Sequence, residues 1–222
     1  EQVLGHAHGP EAGGQVDAEA KVEAIKGQDG QGHGNQAVTD VVPAAQGRAA
    51  ERIWAKIHVK PGTVVPGNML FPSTRMHIES NGGKVVDVIG DGAHNFQSED
   101  PFKGDFDLDK LAAVFREHGS EKVSGIYAEL SVNACGGHPV SLANLKQVKA
   151  IAAANNVPLF VDACRILENS YLIRQREAGY HDRSIHEIAL ETCESVDGCT
   201  MSAMYMRPAE WLTLAQQEYL QT

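Results

Sequence analysis

The chain has 222 residues, 42% of them hydrophobic and 22% charged, enough for one sizeable α/β domain or two small ones. A formal net charge of −10 excludes a general binder of nucleic acid or of anionic membranes, because both need a positive field. No apolar run approaches the roughly 18 residues of a spanning helix, and the amino-terminal stretch lacks the basic-then-apolar pattern of a secretory leader.

Residues 1–40 are rich in Gly, Gln, Ala and His and poor in large apolar side chains, which reads as a mobile or loosely docked arm with one short helix around Asp17–Ile25. Its glycine-flanked His6, His8 and His33 have no Cys or carboxylate ligands near them, so they read as loop residues and no metal site is expected. From residue 41 to 222 the pattern is that of an α/β domain. "TDVVPAAQGRAAERIWAKI" predicts a short strand, a turn at Gln46–Gly47 and a helix through Ile57. "GTVVPGNMLF" predicts a buried strand, "TRMHIESNG" a short helix closed by glycine, and "KVVDVI" the next strand. In "FDLDKLAAVFREHG", Leu108, Leu111, Ala112 and Phe115 recur at helical spacing, with Asp107 as N-cap and Gly119 at the left-handed closing position. The strand "VSGIYAELSVN" and the turn "CGGHP" precede a helix opened by Ser141, whose stripe is Leu142, Leu145, Val148, Ile151 and Ala152. Then come the strand "PLFVDA", helices over 165–178 and 184–196, the strand "GCTMSA" and an amphipathic helix from Pro208. This alternation predicts a mostly parallel sheet flanked by helices.

Cys135, Cys164, Cys193 and Cys199 form neither a CxxC pair nor a zinc spacing, which points to reduced thiols and a cytoplasmic setting. In open parallel sheets ligands bind beyond the carboxyl ends of the strands. The groups just past the predicted strand ends are Gln46, Gly47, Arg48, Phe71, Asn133, Asp162, Arg165 and Ser202. "QGR" at a helix start offers N–H groups and a cation to a phosphate. Ser202 adds a hydroxyl, and Phe71 a flat face for a ring. Each also has a purely structural reading: Arg48 as a solvated helix cation, Phe71 as core, Ser202 as a turn residue. Their joint placement at strand ends is what favours a shared crevice.

The segments "PAAQGRAAE", "KPGTVVPGNMLFPSTRMH", "FKGDFDLDKL", "SVNACGGHPVSLANLKQV", "VDACRILENSYLIRQREAGY" and "DGCTMSA" resemble, in collinear order, the large domain of the aromatic amino-acid β-eliminating lyases. That family comprises tyrosine phenol-lyase and tryptophanase, and the wording leans toward the former. The resemblance implies the aspartate-aminotransferase type of fold (fold type I, PLP-dependent transferase-like) and pyridoxal 5′-phosphate as cofactor. By resemblance, Asp162 pairs with the pyridinium nitrogen, while Arg165 and Asn133 lie beside the phenolic oxygen. Gln46, Gly47, Arg48 and Ser202 cradle the phosphate, and Phe71 stacks on the ring. It further implies an amino-acid substrate and a homo-oligomer, dimer or tetramer.

The chain departs from the family at several places. Met204 and Tyr205 occupy the two positions of the Ser-small-Lys-Lys sequence that holds the Schiff-base lysine. Either the lysine-bearing hairpin between Ala203 and Met204 has been lost, or a segment is missing there. Nothing follows Thr222, so the family's small domain, with its substrate-carboxylate arginine, is expected to be absent. The family's acidic, tyrosine-bearing amino-terminal segment has no clear match in residues 1–40, which leaves its monovalent cation without an evident site. Pro72 stands where the family has threonine, which bears on recognition of a phenol ring. Two readings follow: a lyase that cleaves the Cβ–Cγ bond of an aromatic amino acid to pyruvate, ammonia and the arene, or a shortened, non-catalytic relative that binds or regulates.

Overall fold

Short runs of β-branched and aromatic residues, punctuated by Gly, Pro and Asn, build the sheet. The computed structural model describes residues 42–202, which contain five strands: β1 (Val64–Gly67), β2 (Lys84–Asp87), β3 (Ile126–Glu129), β4 (Leu159–Asp162) and β5 (Gly198–Thr200). They lie in the order β2-β1-β3-β4-β5, every neighbouring pair parallel. The helices are α1 (Gly47–His58), α2 (Pro72–Ser80), α3 (Leu108–His118), α4 (Leu142–Ala154), α5 (Ile166–Arg176) and α6 (Ile185–Glu194). This is the helix-flanked, parallel α/β architecture that the alternating pattern predicts.

Both faces of the sheet are covered, and each strand divides its side chains between them with period two. Ile126 and Ala128 of β3 join Leu159 and Val161 of β4 in one cluster, closed by Leu111, Leu145, Val148, Ile173 and Ile188 from α3 to α6. Tyr127 and Phe160 point the other way, onto Trp54 and Ala55 of α1 and Ile78 of α2. The Trp54 ring meets Tyr127 and Phe160 edge-on, with centroids 4.5 and 5.5 Å away. Two residues beyond Tyr127 and Phe160 come Glu129 and Asp162, which period two sends to the α1–α2 side. The register sets Glu129 beside Asp162 and Asp162 beside Thr200. Three polar side chains thus stand abreast at the carboxyl edge of the sheet.

Buried asparagines hold the strand exits. Asn68, fully buried after β1, donates to the carbonyls of Gly104 (2.9 Å) and Glu129 (3.1 Å) and accepts from the Glu129 N–H (2.7 Å). Asn169 of α5 accepts from the N–H groups of Ser131 and Val140 at 3.1 and 3.0 Å. The chain leaves β1 and β3 through Met69 (φ 63°) and Ser131 (φ 52°), left-handed conformations that non-glycine residues seldom adopt. These asparagine bonds fix the neighbouring backbone against that local preference.

Several boundaries differ from those read in the sequence. β1 ends at Gly67 rather than Phe71, because Asn68 takes the chain out of the ladder toward Gly104 and Glu129. Pro72 then opens α2, since its fixed φ suits the first helical turn and its missing N–H is no loss there. Gly119 has the expected positive φ (77°) but an extended ψ (150°), so it leads into a short 3₁₀ turn rather than a left-handed cap. Asp107 and Ser141 cap α3 and α4 as predicted, and Ser184 with Glu187 forms a capping box on α6. Val42 and Pro43 are not in a strand. The arm of residues 1–40, with Asp17–Ile25 and His6, His8 and His33, lies outside the described residues, as does the helix from Pro208. Among the described residues no helix is long and apolar enough to cross a membrane, and all four cysteines are unpaired.

Candidate functional site

A cleft of about 660 Å³ opens at the carboxyl edge of the sheet, on the α1–α2 side. Gln46, Gly47, Arg48, Phe71, Asn133, Asp162, Arg165 and Ser202 all line it. They come from five separate segments: the start of α1, the start of α2, and the carboxyl ends of β3, β4 and β5 with the loops that follow them. The structure therefore brings together every site residue named from the sequence. It adds Glu51, Pro72, Ser73, Glu129 and Cys164 to the lining.

The start of α1 forms one end. Gln46 is the N-cap residue in extended conformation, makes no side-chain cap bond, and is followed by a first turn without acidic residues. The Gly47 and Arg48 N–H groups therefore have no acceptor among the described residues, and a helix start with open N–H groups favours an anion. A β-carbon on Gly47 would sit 2.7 Å from the Ser202 Cβ, so glycine is what allows the β5 exit to approach the helix start. Ser202 is held in turn by its N–H on the Cys164 sulfur at 3.1 Å.

Phe71 is 37% exposed with its ring in the cleft wall, so it is not a core residue. Asp162 ends β4 with a buried side chain, one oxygen accepting from the Cys164 N–H at 2.9 Å. Beside it, Arg165 donates from Nη2 to Glu129 Oε1 at 2.9 Å and from Nη1 to Asn133 Oδ1 at 3.4 Å. The same Glu129 Oε1 accepts from the Asn133 N–H at 2.8 Å, while Oε2 is buried without a hydrogen-bond partner. Burial pushes the Glu129 carboxyl up to about 7, with the Asn133 N–H, Arg165 and the Phe71 N–H pulling the other way and Asp162 adding to the rise. Burial likewise raises Glu51, whose Oε2 also lacks a partner. Burial and then the Asp162 charge raise the Cys164 thiol far above the ordinary range, which makes it a poor nucleophile.

The model of the β-eliminating lyase family matches residues 11–205. The chain belongs to the β-eliminating lyase family. The tyrosine phenol-lyase of Fusobacterium nucleatum subsp. nucleatum is 46% identical over 162 residues, covering 73% of this chain and 35% of that protein. The tryptophanase of Salinibacter ruber is 45% identical over 163 residues, covering 73% and 34%. The chain thus spans about a third of the length of these curated relatives. A solved kynurenine aminotransferase from Pyrococcus horikoshii aligns over 54% of this chain and 28% of its own at 13% identity, with a TM-score of 0.43.

Pyridoxal 5′-phosphate is the cofactor associated with β-eliminating lyases, and the donor set of the cleft fits that molecule. It supplies open N–H groups and a guanidinium for a phosphate, a buried carboxylate for a ring nitrogen, and an amide and a second guanidinium for a ring oxygen. Met204, Tyr205 and the junction after Ala203 lie outside the described residues. No cluster of metal-ligating residues occurs among the described residues.

Glu129 and Glu51 escaped the sequence reading, and both left a trace there. "IYAE" and "LFVD" share one pattern, three sheet residues and then an acid, so the register that exposes Asp162 also exposes Glu129. Glu51 follows Arg48 by three positions, which puts both on one face of α1.

Proposed function

We propose that this chain is the cofactor-binding portion of a pyridoxal 5′-phosphate-dependent carbon–carbon lyase of the tyrosine phenol-lyase and tryptophanase type. The observation that carries the reading is the meeting, in one cleft, of eight residues from five segments in a chain of this family. In this reading Gln46, Gly47, Arg48 and Ser202 bind the phosphate through N–H groups, a guanidinium and a hydroxyl. Asp162 keeps a proton on the ring nitrogen, Phe71 stacks on the ring, and Asn133 and Arg165 bond the ring oxygen. When bound, the cofactor supplies an electron sink for charge developing on an amino acid. The reaction proposed is β-elimination of an aromatic amino acid to pyruvate, ammonia and the arene, with the protein working as a homo-oligomer.

A second reading rests on Met204 and Tyr205, neither of which can take the place of a lysine. A chain without a positioned base loses about 10²–10⁴ in rate, and such a protein binds the cofactor without efficient turnover. Titrating the purified chain with pyridoxal 5′-phosphate, followed by cofactor absorbance, tests the shared core of both readings. Saturable binding that weakens at least tenfold in Asp162→Ala and Arg48→Ala supports it, and no binding overturns it. Borohydride treatment and intact mass then separate the two: a covalent adduct of one cofactor supports the lyase, and none supports the binding protein.

A further inference from the structure

Arg165 is bound to a carboxylate that the family reading leaves without a role. Its Nη2 lies 2.9 Å from Glu129 Oε1, the closest polar contact of the guanidinium. Glu129 is 3% exposed and Arg165 26%, so the acid is fixed in the floor while the cation reaches outward. Oε1 is further held by the Asn133 N–H at 2.8 Å, and Oε2 closes no hydrogen bond, although the Phe71 N–H faces the carboxyl. The other charged or titratable groups around Glu129 are Asp162 on β4, Tyr127 on β3, Cys164 before α5, and Arg48 and Glu51 on α1 across the cleft.

We propose that Glu129 is the positioning residue of Arg165, and that drawing Arg165 onto an anionic ligand atom requires Glu129 to take up a proton. This rests on the cofactor-binding reading given above. An arginine is a permanent cation and cannot adjust its own charge. If a ring oxygen of the ligand takes the guanidinium, a buried carboxylate is left beside Asp162 with one unsatisfied oxygen. That state is costly, and protonation relieves it. The proton goes to Oε2, the oxygen that closes no hydrogen bond. Burial already pushes the Glu129 carboxyl up to about 7 with Arg165 in place, outweighing the guanidinium. Weakening the Arg165 contact raises it further, so the bound form holds more proton than the free form around neutral pH. The sign follows: affinity falls as pH rises through 7.

The loss of a guanidinium partner shifts a carboxyl by one unit or more. A one-unit shift weakens binding about fivefold between pH 6 and pH 8, beyond whatever the ligand's own ionisations contribute. The experiment is a titration of the full chain with pyridoxal 5′-phosphate at pH 6, 7 and 8, in wild type and Glu129→Gln. The variant keeps an acceptor for Arg165 and Asn133 but cannot titrate, and the ligand's ionisations are common to both proteins. The expected result is a wild-type affinity that falls about fivefold more than that of the variant. Calorimetry of wild type and Glu129→Gln in two buffers of different ionisation enthalpy reads the same proton as a difference, since the ligand's own protons cancel; wild type is expected to take up about half a proton more than the variant at pH 7.5. Parallel pH profiles, or equal proton uptake by the two proteins, overturn the proposal while leaving cofactor binding intact. Failure of wild type to bind at any pH overturns both.

Discussion

Asn68 is the residue on which the site's geometry most depends, and Asn68→Ala is the sharpest test of how the fold holds it. The side chain is fully buried and makes three hydrogen bonds: to the Gly104 carbonyl at 2.9 Å, to the Glu129 carbonyl at 3.1 Å, and from the Glu129 N–H at 2.7 Å. Alanine removes all three and leaves one donor and two acceptors without partners in the interior. Each orphaned group costs about 1–3 kcal/mol. The adjacent Met69, held at φ 63°, also loses its anchor. Three such groups sum to about 3–9 kcal/mol, and a value near the lower end, about 3–5 kcal/mol, is expected because two of them are carbonyls, whose shortfall is the better tolerated; that is a large share of the roughly 5–15 kcal/mol by which domains are ordinarily stable. With a urea slope of about 2 kcal/mol/M, the unfolding midpoint falls by about 2 M. Urea titration followed by far-ultraviolet circular dichroism measures this. Asn68→Asp, which turns a carboxylate toward two carbonyl oxygens, is expected to lose at least as much at pH 8. A midpoint shift below about 0.5 M for Asn68→Ala refutes the reasoning, because it means that the exposed backbone groups find other partners.

Other outcomes follow from the same structure. Gly47→Ala places a methyl 2.7 Å from Ser202 Cβ and is expected to weaken pyridoxal 5′-phosphate binding at least tenfold while the circular dichroism spectrum is kept, since only the meeting of the β5 exit and the α1 start is disturbed. Burial pushes both Asp105 and Glu129 up to about 7, above ordinary carboxyl values, so the folded state holds more protons than the unfolded state between about pH 4 and 7. Their contribution to stability is complete below that window and is lost as pH rises through it. Melting temperatures from pH 5 to 8 should therefore fall less in Asp105→Asn/Glu129→Gln than in wild type. Ser184→Ala removes the capping box of α6 and should cost about 1 kcal/mol by urea titration. Arg75→Ala breaks a two-oxygen contact with Asp87, but the side chains are 34% and 45% exposed, so a loss under about 1 kcal/mol is expected.

Local signals in the sequence set a large part of the architecture. Asp107, Ser141 and Ser184 carry side-chain oxygens where helix starts need acceptors, and the apolar spacing of α3 and α4 is that of a helix packed on one side. Those signals act within a few residues, so the chain displays them in order. The strand–helix alternation then leaves a parallel sheet, and its carboxyl edge, as the place where Asp162, Asn133 and Ser202 can meet. The boundary errors have the same origin in reverse. "GTVVPGNMLF" looks like one strand until Asn68 finds partners 36 and 61 residues away, which no local pattern can reveal.

What the sequence determined by itself was element order, capping, the family and the candidate residues, because propensity, periodicity and motif are properties of neighbouring positions. What only the tertiary structure decided was which of those residues share a cleft and what each one touches. Glu129 shows the difference: in sequence it is one acid within a predicted strand, and the register between β3 and β4 makes it a buried partner of Arg165. Its environment is assembled from distant segments that exclude water, and the charge it carries is a property of that environment rather than of the residue.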